Sequence, residues 1–279
     1  MRIMTSNVWG DYFGNEVQVR EDKLFKVYNK YAPDVIGFQE VTQNWYKSTL
    51  LKNMSDDYML IGTELYENCN YVPMAVKKEF NLMAKGFEYL ENTPDKSKAI
   101  TWAVIEGKEG RVAVCNTHFW WMSGKESEEI KRQLKKSIGQ IAYWTDEEHD
   151  NKRTENAEQL STVMKYLNDR YSCPVFSFGD MNGTIASALF RVYTKNRIDR
   201  LFDLAKEKDI VSSHHGDPVR GNDGRYHGKT TSNDYTFSID HIVGIGDNFK
   251  VKKYCVVTDT DALDASDHSP IYADIELQN

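Results

Sequence analysis

Asp180 and Asn182 stand two residues apart in Val-Phe-Ser-Phe-Gly-Asp-Met-Asn-Gly, residues 175–183. A carboxylate there can accept a proton or bind a cation, and an amide beside it can fix the angle of a nucleophile. Related groups recur in or just after other apolar runs: Asn7, Glu40, His118, Asp240 and the adjacent Asp267 and His268. Any one of these is more often a turn or cap group than a catalyst, because Asp, Asn and Gly are the usual turn residues. Seven such positions, counting Asp267-His268 as one, are hard to assign to capping alone.

Chemistry needs these groups at one place, so strands must deliver them to a common edge. Val175, Phe176 and Phe178 follow Pro174 and stop at Gly179, as a buried strand does where it leaves a sheet. Residues 2–8 alternate into a strand ending at Asn7. Leu24, Val27, Tyr28 and Tyr31 recur at helical spacing, and Pro33 ends that helix. Residues 34–38 form a short buried strand running into Gln39 and Glu40. Residues 41–54 read as one helix, and residues 58–61, 71–76 and 80–90 as strands. Residues 94–98 read as a loop, and residues 100–106 and 111–116 as a hairpin leading to His118.

The later chain continues the alternation. Ile130, Leu134, Ile138 and Ile141 form one helical stripe, and Ala157, Leu160, Met164 and Leu167 a second, with 145–151 as a charged connection. Ile185, Leu189 and Val192 predict a helix, and residues 209–235 a long polar loop of the kind that is often functional. Residues 237–243, 250–257 and 271–277 read as strands, with an acidic loop at 259–267. No fixed-period repeat occurs. Interleaved strands and helices without a linker predict one α/β domain over residues 1–279, with a helical insertion at about 120–151.

Composition narrows the partners. The net charge is −7 and no long single-sign block appears. Lys131, Arg132, Lys135 and Lys136 follow Glu126, Glu128 and Glu129, which reads as a solvated helix face. An acidic chain without a basic stripe does not favour nucleic acid as the partner, since that grip leans on phosphate contacts. Cys69, Cys115, Cys173 and Cys255 are far apart, with no C-x-x-C, so a reducing compartment fits. No secretory leader and no stretch of membrane-spanning length is seen, and the expected location is cytoplasmic.

Six segments together resemble the endonuclease/exonuclease/phosphatase superfamily, whose members include deoxyribonuclease I. They are Thr-Ser-Asn-Val at 5–8, Asp-Val-Ile-Gly-Phe-Gln-Glu at 34–40, Asn-Thr-His at 116–118, Gly-Asp-Met-Asn-Gly at 179–183, Ser-Ile-Asp-His-Ile at 238–242 and Ser-Asp-His-Ser-Pro at 266–270. Each is weak alone; the ordered set is a strong signal. The resemblance implies a four-layer α/β sandwich, two facing mixed β-sheets flanked by helices. It also implies a divalent-metal-dependent phosphoesterase.

Phosphoester hydrolysis needs an activated water, a clamp on the phosphoryl oxygens and help for the leaving oxygen. Glu40 and Asp267 are hard oxygen donors suited to Mg²⁺, or Mn²⁺, with the neutral Asn7 beside the metal or the phosphate. Asp180 is the best general base, and Asn182 would hold the water or a phosphate oxygen. His268 could donate to a phosphate oxygen with Asp240 orienting it, and His118 would stabilise charge from another side. The resemblance implies the same roles, with Asp240 and His268 as a pair; the water's proton goes to Asp180 or to His268.

Two departures from the family pattern stand out. Asn70 stands where several members carry a glutamate that supports the first histidine, and Glu67 is out of register. Residues 120–151 are longer than a minimal family core needs; Trp120 and Trp121 would line a substrate wall or pack under the inserted helix. His214, His215 and His227 lie in the long loop as solvated histidines or a further contact. His149 reads as a surface residue, and Arg153 as a surface ion-pair partner. The expected substrate is a small soluble or lipid-derived phosphodiester or phosphomonoester. The alternatives are a nuclease acting on DNA or RNA and a non-catalytic binding protein on the same fold.

Overall fold

The computed structural model describes residues 1–63, 70–91, 93 and 96–278. Glu67, Cys69 and the Pro94 and Asp95 of the expected 94–98 loop lie outside them. The elements in order are β1 (Arg2–Asn7), α1 (Glu21–Tyr31), β2 (Val35–Gln39), α2 (Gln43–Lys47), α3 (Thr49–Met54), β3 (Tyr58–Ile61), β4 (Met74–Lys77), β5 (Asn81–Tyr89), β6 (Ala99–Gly107) and β7 (Gly110–His118). Then come α4 (Glu128–Ile138), a 3₁₀ turn (Gly139–Tyr143), α5 (Asp146–Tyr171), β8 (Val175–Asp180), α6 (Leu189–Lys195), β9 (Asp199–Arg200), α7 (Leu201–Leu204) and β10 (Glu207–Lys208). The chain ends through β11 (Val219–Arg220), β12 (Tyr226–His227), a 3₁₀ turn (Tyr235–Phe237), β13 (Asp240–Ile245), β14 (Phe249–Val256), α8 (Thr260–Ala265) and β15 (Ile271–Leu277).

Two mixed sheets face each other. One has the order β10-β14-β15-β1-β2-β4-β3 and the other β5-β6-β7-β8-β13-β9. Side chains alternate along each strand, so every second residue enters the space between the sheets. Ile3, Val35, Val114, Phe176, Phe178, Ile242 and Ile271 meet there. Phe176 and Phe178 are fully buried, and burial of such a side chain stabilises by roughly 1.5–3 kcal/mol. The opposite faces are covered by helices. Ala157, Leu160, Met164 and Leu167 of α5 and Leu189 and Tyr193 of α6 pack on Ala113, Cys115 and Val175. Leu24, Val27 and Tyr28 of α1, with Ala262 and Ala265 of α8, pack on Met4, Ile36 and Tyr272. The result is the four-layer sandwich.

Several expected elements differ. The single helix over 41–54 is two, because Ser48 is extended (ψ 166°) and its hydroxyl and N–H both bond to Trp45 O. The strand over 71–76 starts at Met74: Pro73 has no N–H, and residues 71–73 instead offer carbonyls to Phe38 and Val41. The 145–151 connection is the first turn and a half of α5. Thr145 caps it and exchanges bonds with Glu148 as a capping box. The acidic loop at 259–267 contains α8, whose Asp264 is neutralised by Lys23 at 2.5 Å. The strand expected from 237 begins at Asp240, after the 3₁₀ turn.

The structure corrects the reading of two residues at the start of α5. His149 is fully buried, stacked on Trp120 and accepting its indole N–H at 2.8 Å. Arg153 is buried too; it donates to Met122 O at 2.8 Å and lies 3.4 Å from Asp150. Trp120 therefore packs under the helices with Met122 and Ala142, whereas Trp121 is 36% exposed. Cys115 and Cys173 are buried free thiols. Among the described residues no helix is long and apolar enough to cross a membrane.

Candidate active site

The space between the sheets changes character along its length. Reading up the inward-facing positions, Ile3 gives way to Thr5 and Asn7, Val35 to Gly37 and Gln39, Val114 to Asn116 and His118, and Phe176 and Phe178 to Asp180. The apolar end is core and the polar end is the site. Register makes the row: His118 of β7 pairs with Asp180 of β8, and Asp180 pairs with Asp240 of β13. Beneath them lies a buried polar floor. Gln39 donates to Asn116 Oδ1 at 2.6 Å, and the Asn116 amide donates to Phe38 O at 2.7 Å and Pro73 O at 2.9 Å. Gly37 is required at this level, since a Cβ would fall 2.3 Å from the Phe178 ring and 2.5 Å from Asn116 Oδ1.

All the residues expected from sequence converge here. Asn7 bridges two carboxylates, donating to Glu40 Oε1 at 3.2 Å and Asp180 Oδ2 at 3.1 Å. Its own amide oxygen accepts from Trp9 N at 2.9 Å. Glu40 Oε2 accepts from Gly10 N at 2.7 Å. Asp180 Oδ2 lies 3.4 Å from His118 Nε2 and 3.8 Å from His268 Nε2. His268 Nδ1 is 2.7 Å from Asp240 Oδ2, and its Nε2 is 4.0 Å from Asp267 Oδ2. Asn182 donates its backbone N–H to Asp180 Oδ1 at 2.9 Å and its amide to Phe119 O at 3.2 Å. Trp9, Glu40 and Asn182 all adopt positive φ (57°, 63° and 48°), a left-handed conformation that costs non-glycine residues and clusters at functional sites.

The long 209–235 loop belongs to the site at its start. Ser213 Oγ donates to Asp240 Oδ2 at 2.7 Å, His215 N donates to Asp267 O at 3.0 Å, and the His214 ring meets the His268 ring edge-on at 4.9 Å. His227 stays exposed, paired with Asp223. Two residues were not legible beforehand. Ser213 carried no signal. Lys98 precedes β6 and places its ammonium 2.8 Å from His118 Nε2 and 3.2 Å from Nδ1. A lysine at a strand entrance is ordinary, and only its burial distinguishes it.

Charge follows geometry. Burial pushes Asp180 up to about 7, aided by Asp240 and opposed by His268 and Lys98. Burial likewise pushes Asp267 up to about 7, with Glu40 and Asp217 adding to it against the pull of His268. Burial works against charge on His268, but Asp240, Asp267 and Asp180 outweigh it and hold the ring protonated well above its ordinary value. His118 goes the other way: burial, then Lys98 and His268, keep it neutral.

Among the described residues, three sets of side chains converge closely enough to hold a metal ion: Glu40, His118 and Asp180; Asp180, Asp240 and His268; and His214, Asp267 and His268. A protonated His268 is an ion-pair partner rather than a ligand, so the cation side is the carboxylate side. Glu40, Asp180 and Asp267 offer hard oxygens, and a divalent cation would relieve the repulsion by which Glu40 raises the proton affinity of Asp267. Glu40 and Asp180 of the first set and Asp267 of the third supply carboxylate oxygens of the kind such an ion takes.

Comparisons with known proteins bear on the fold and the family. No match was found among curated proteins. An endonuclease/exonuclease/phosphatase from Bacteroides vulgatus superposes with a TM-score of 0.71 at 21% identity, covering 99% of this chain and 98% of that one. A mannosyl-6-phosphatase from Bacteroides thetaiotaomicron gives a TM-score of 0.64 at 18% identity, over 99% of each chain. The human Nocturnin catalytic domain gives 0.64 at 14% identity, over 100% of this chain and 94% of that one. These likenesses show the fold. The model of the Endonuclease/Exonuclease/phosphatase family matches residues 4–268, so the chain belongs to that family.

Proposed function

We propose that the protein is a Mg²⁺-dependent hydrolase of a small soluble phosphoester. The observation that carries this reading is the Asn7 amide joined to Glu40 and Asp180, with Asp180 facing a protonated His268 held by Asp240. A metal-side carboxylate, a base and a cationic donor thus share one end of the space between the sheets. One solved neighbour is a mannosyl-6-phosphatase, and another carries a bound sulfate anion, both consistent with an anionic substrate.

Glu40 and Asp267 would hold the divalent cation, which when bound would neutralise phosphoryl charge. The remaining steps fall to the chain. Asp180, pushed up to about 7, takes the proton of the attacking water near neutral pH. Asn7 and the backbone N–H of Asn182 hold that carboxylate in place. His268 presents Nε2–H to a phosphoryl oxygen, because Asp240 and Ser213 fix its other side. Asn182 orients the water or a phosphoryl oxygen from the turn after β8.

The test is a panel of bis-p-nitrophenyl phosphate, sugar phosphates, sphingomyelin and plasmid DNA, with and without chelator. Asp180→Ala and His268→Ala should each lose at least about 1,000-fold in kcat while the circular dichroism spectrum is kept. Turnover that survives chelation would remove the metal from the reading. Faster cleavage of DNA than of any small ester would replace the substrate class.

A further inference from the structure

A groove of about 660 Å³ opens beside α6 and β9, and none of the residues lining it belongs to the candidate catalytic set. Strand alternation puts it on the outer side of its sheet. Asp240 and Ile242 of β13 face the space between the sheets, whereas Val243 packs outward and the His241 ring meets the Phe190 ring of the groove at 4.8 Å. Four cations line the groove, Arg191, Lys195, Arg197 and Arg200, against two carboxylates, Asp199 and Asp203. The whole chain carries a net charge of −7, so this surface runs against the protein's own balance. Arg200 is committed, with Nη2 2.6 Å from Asp203 Oδ2. Among the described residues, the side chains of Arg191, Lys195 and Arg197 have no ion-pair or hydrogen-bond partner.

We propose that this groove is a second anion site, separate from the reaction centre, and that it binds a small oligophosphate: a ligand of linked phosphate groups, with inorganic triphosphate as its simplest form. Cations near a helix C-terminus meet its dipole, which accounts for Lys195 and for Arg197 just beyond α6. The dipole does not account for Arg191, which stands in the first turn of α6, where a cation is repelled. Arg191 and Lys195 are also four residues apart on one helix face, and like charges at that spacing destabilise a helix. An anion between them turns that repulsion into attraction. Two of the three unpaired cations are guanidiniums, whose planar forks meet phosphate oxygens with paired hydrogen bonds. A lone phosphate brings at most about two negative charges near neutral pH, and a linked chain brings enough for all three cations. All three are exposed, so the affinity should fall as salt rises.

The experiment is titration calorimetry of the full chain in metal-free buffer, with sodium triphosphate, orthophosphate and a short single-stranded DNA as the probes. Triphosphate should bind at least about 10-fold more tightly than orthophosphate. The double variant Arg191→Gln with Lys195→Gln should bind triphosphate at least about 10-fold more weakly while its thermal midpoint is kept. Lys131→Gln with Lys135→Gln, on the basic face of α4, should stay within about 2-fold of wild type. Asp199→Asn removes a carboxylate from the groove and should tighten triphosphate by about 2- to 5-fold. Triphosphate binding that the groove variants leave unchanged, or that the α4 variant weakens equally, overturns the proposal. DNA bound more tightly than triphosphate overturns the ligand class. If the double variant does not fold, Asp199→Asn decides, and no tightening overturns the proposal. Binding is read without metal or turnover, so failure of the hydrolase reading would leave this result standing.

Discussion

The carboxylate of Asp240 sits 2.7 Å from His268 Nδ1 and accepts a second 2.7 Å bond from Ser213. This fixes which ring nitrogen is left to face Asp180. Asp240→Asn keeps the shape but removes the charge that sustains the imidazolium. The expected result is a fall in kcat of about 100- to 10,000-fold with a smaller change in KM. Steady-state kinetics on the best substrate of the panel checks it. A variant within 5-fold of wild type (about 1 kcal/mol) would mean that His268 needs no such partner.

The pH dependence of stability follows from three shifts that share a sign. Asp180 and Asp267 are pushed up to about 7 and His268 well above its ordinary value. In each case the folded protein holds a proton that the unfolded chain has released. Stability from these groups is therefore lost as pH rises through the folded values. In chelator, the thermal midpoint should fall between pH 5 and pH 8, and Asp267→Asn should flatten that fall. Adding Mg²⁺ should restore the midpoint most at pH 8, by linkage to the carboxylate form. A midpoint that rises with pH in wild type but not in Asp267→Asn would contradict the sign.

Much of this was readable in advance because strands repeat every two residues. The step from Phe176 and Phe178 to Asp180 puts an acid at the end of a buried stripe, and the same step occurs at Asn7 and His118. Where periodicity carries no apolar residue it is silent. Residues 146–151 have none, so the start of α5 was missed, although Thr145-x-x-Glu148 spells its capping box. Long-range partners are harder still. His149 is buried because Trp120 and Trp144 close on it, and Lys98 meets His118 across the β6–β7 pair; no local pattern encodes either contact.

Arg20 is a strut beside the carboxylates proposed to hold the metal. Its guanidinium donates to five carbonyls: Glu16, Val8, Ala265, Trp9 and Asn15, at 2.7–3.3 Å. It also lies over the rings of Trp9 and Trp45. Burial lowers it to about 10, which still leaves it charged at neutral pH. Arg20→Lys keeps the charge but has three donors in place of a planar fork. It should cost about 3 kcal/mol or more, a fall of about 6–12 °C in the thermal midpoint. Because the exit of β1 and the segment before Asp267 share this tie, Mg²⁺ should bind about 10-fold more weakly as well.

Gly179 decides whether β7 and β8 can deliver His118 and Asp180 to the same place. Its φ is +154°, and a Cβ there would fall 1.9 Å from Thr117 O on the neighbouring strand. The obstacle is backbone, which cannot swing away as a side chain would. Gly179→Ala must push the strands apart or twist Asp180 away from its 3.4 Å approach to His118. The control is Gly14→Ala, at φ +83° with no atom within 4 Å, where only the left-handed backbone resists. That control should lose about 1–2 kcal/mol in urea unfolding. Gly179→Ala should lose at least twice as much, and with it all turnover. Equal losses would show that close strand approach is not what holds the two residues together.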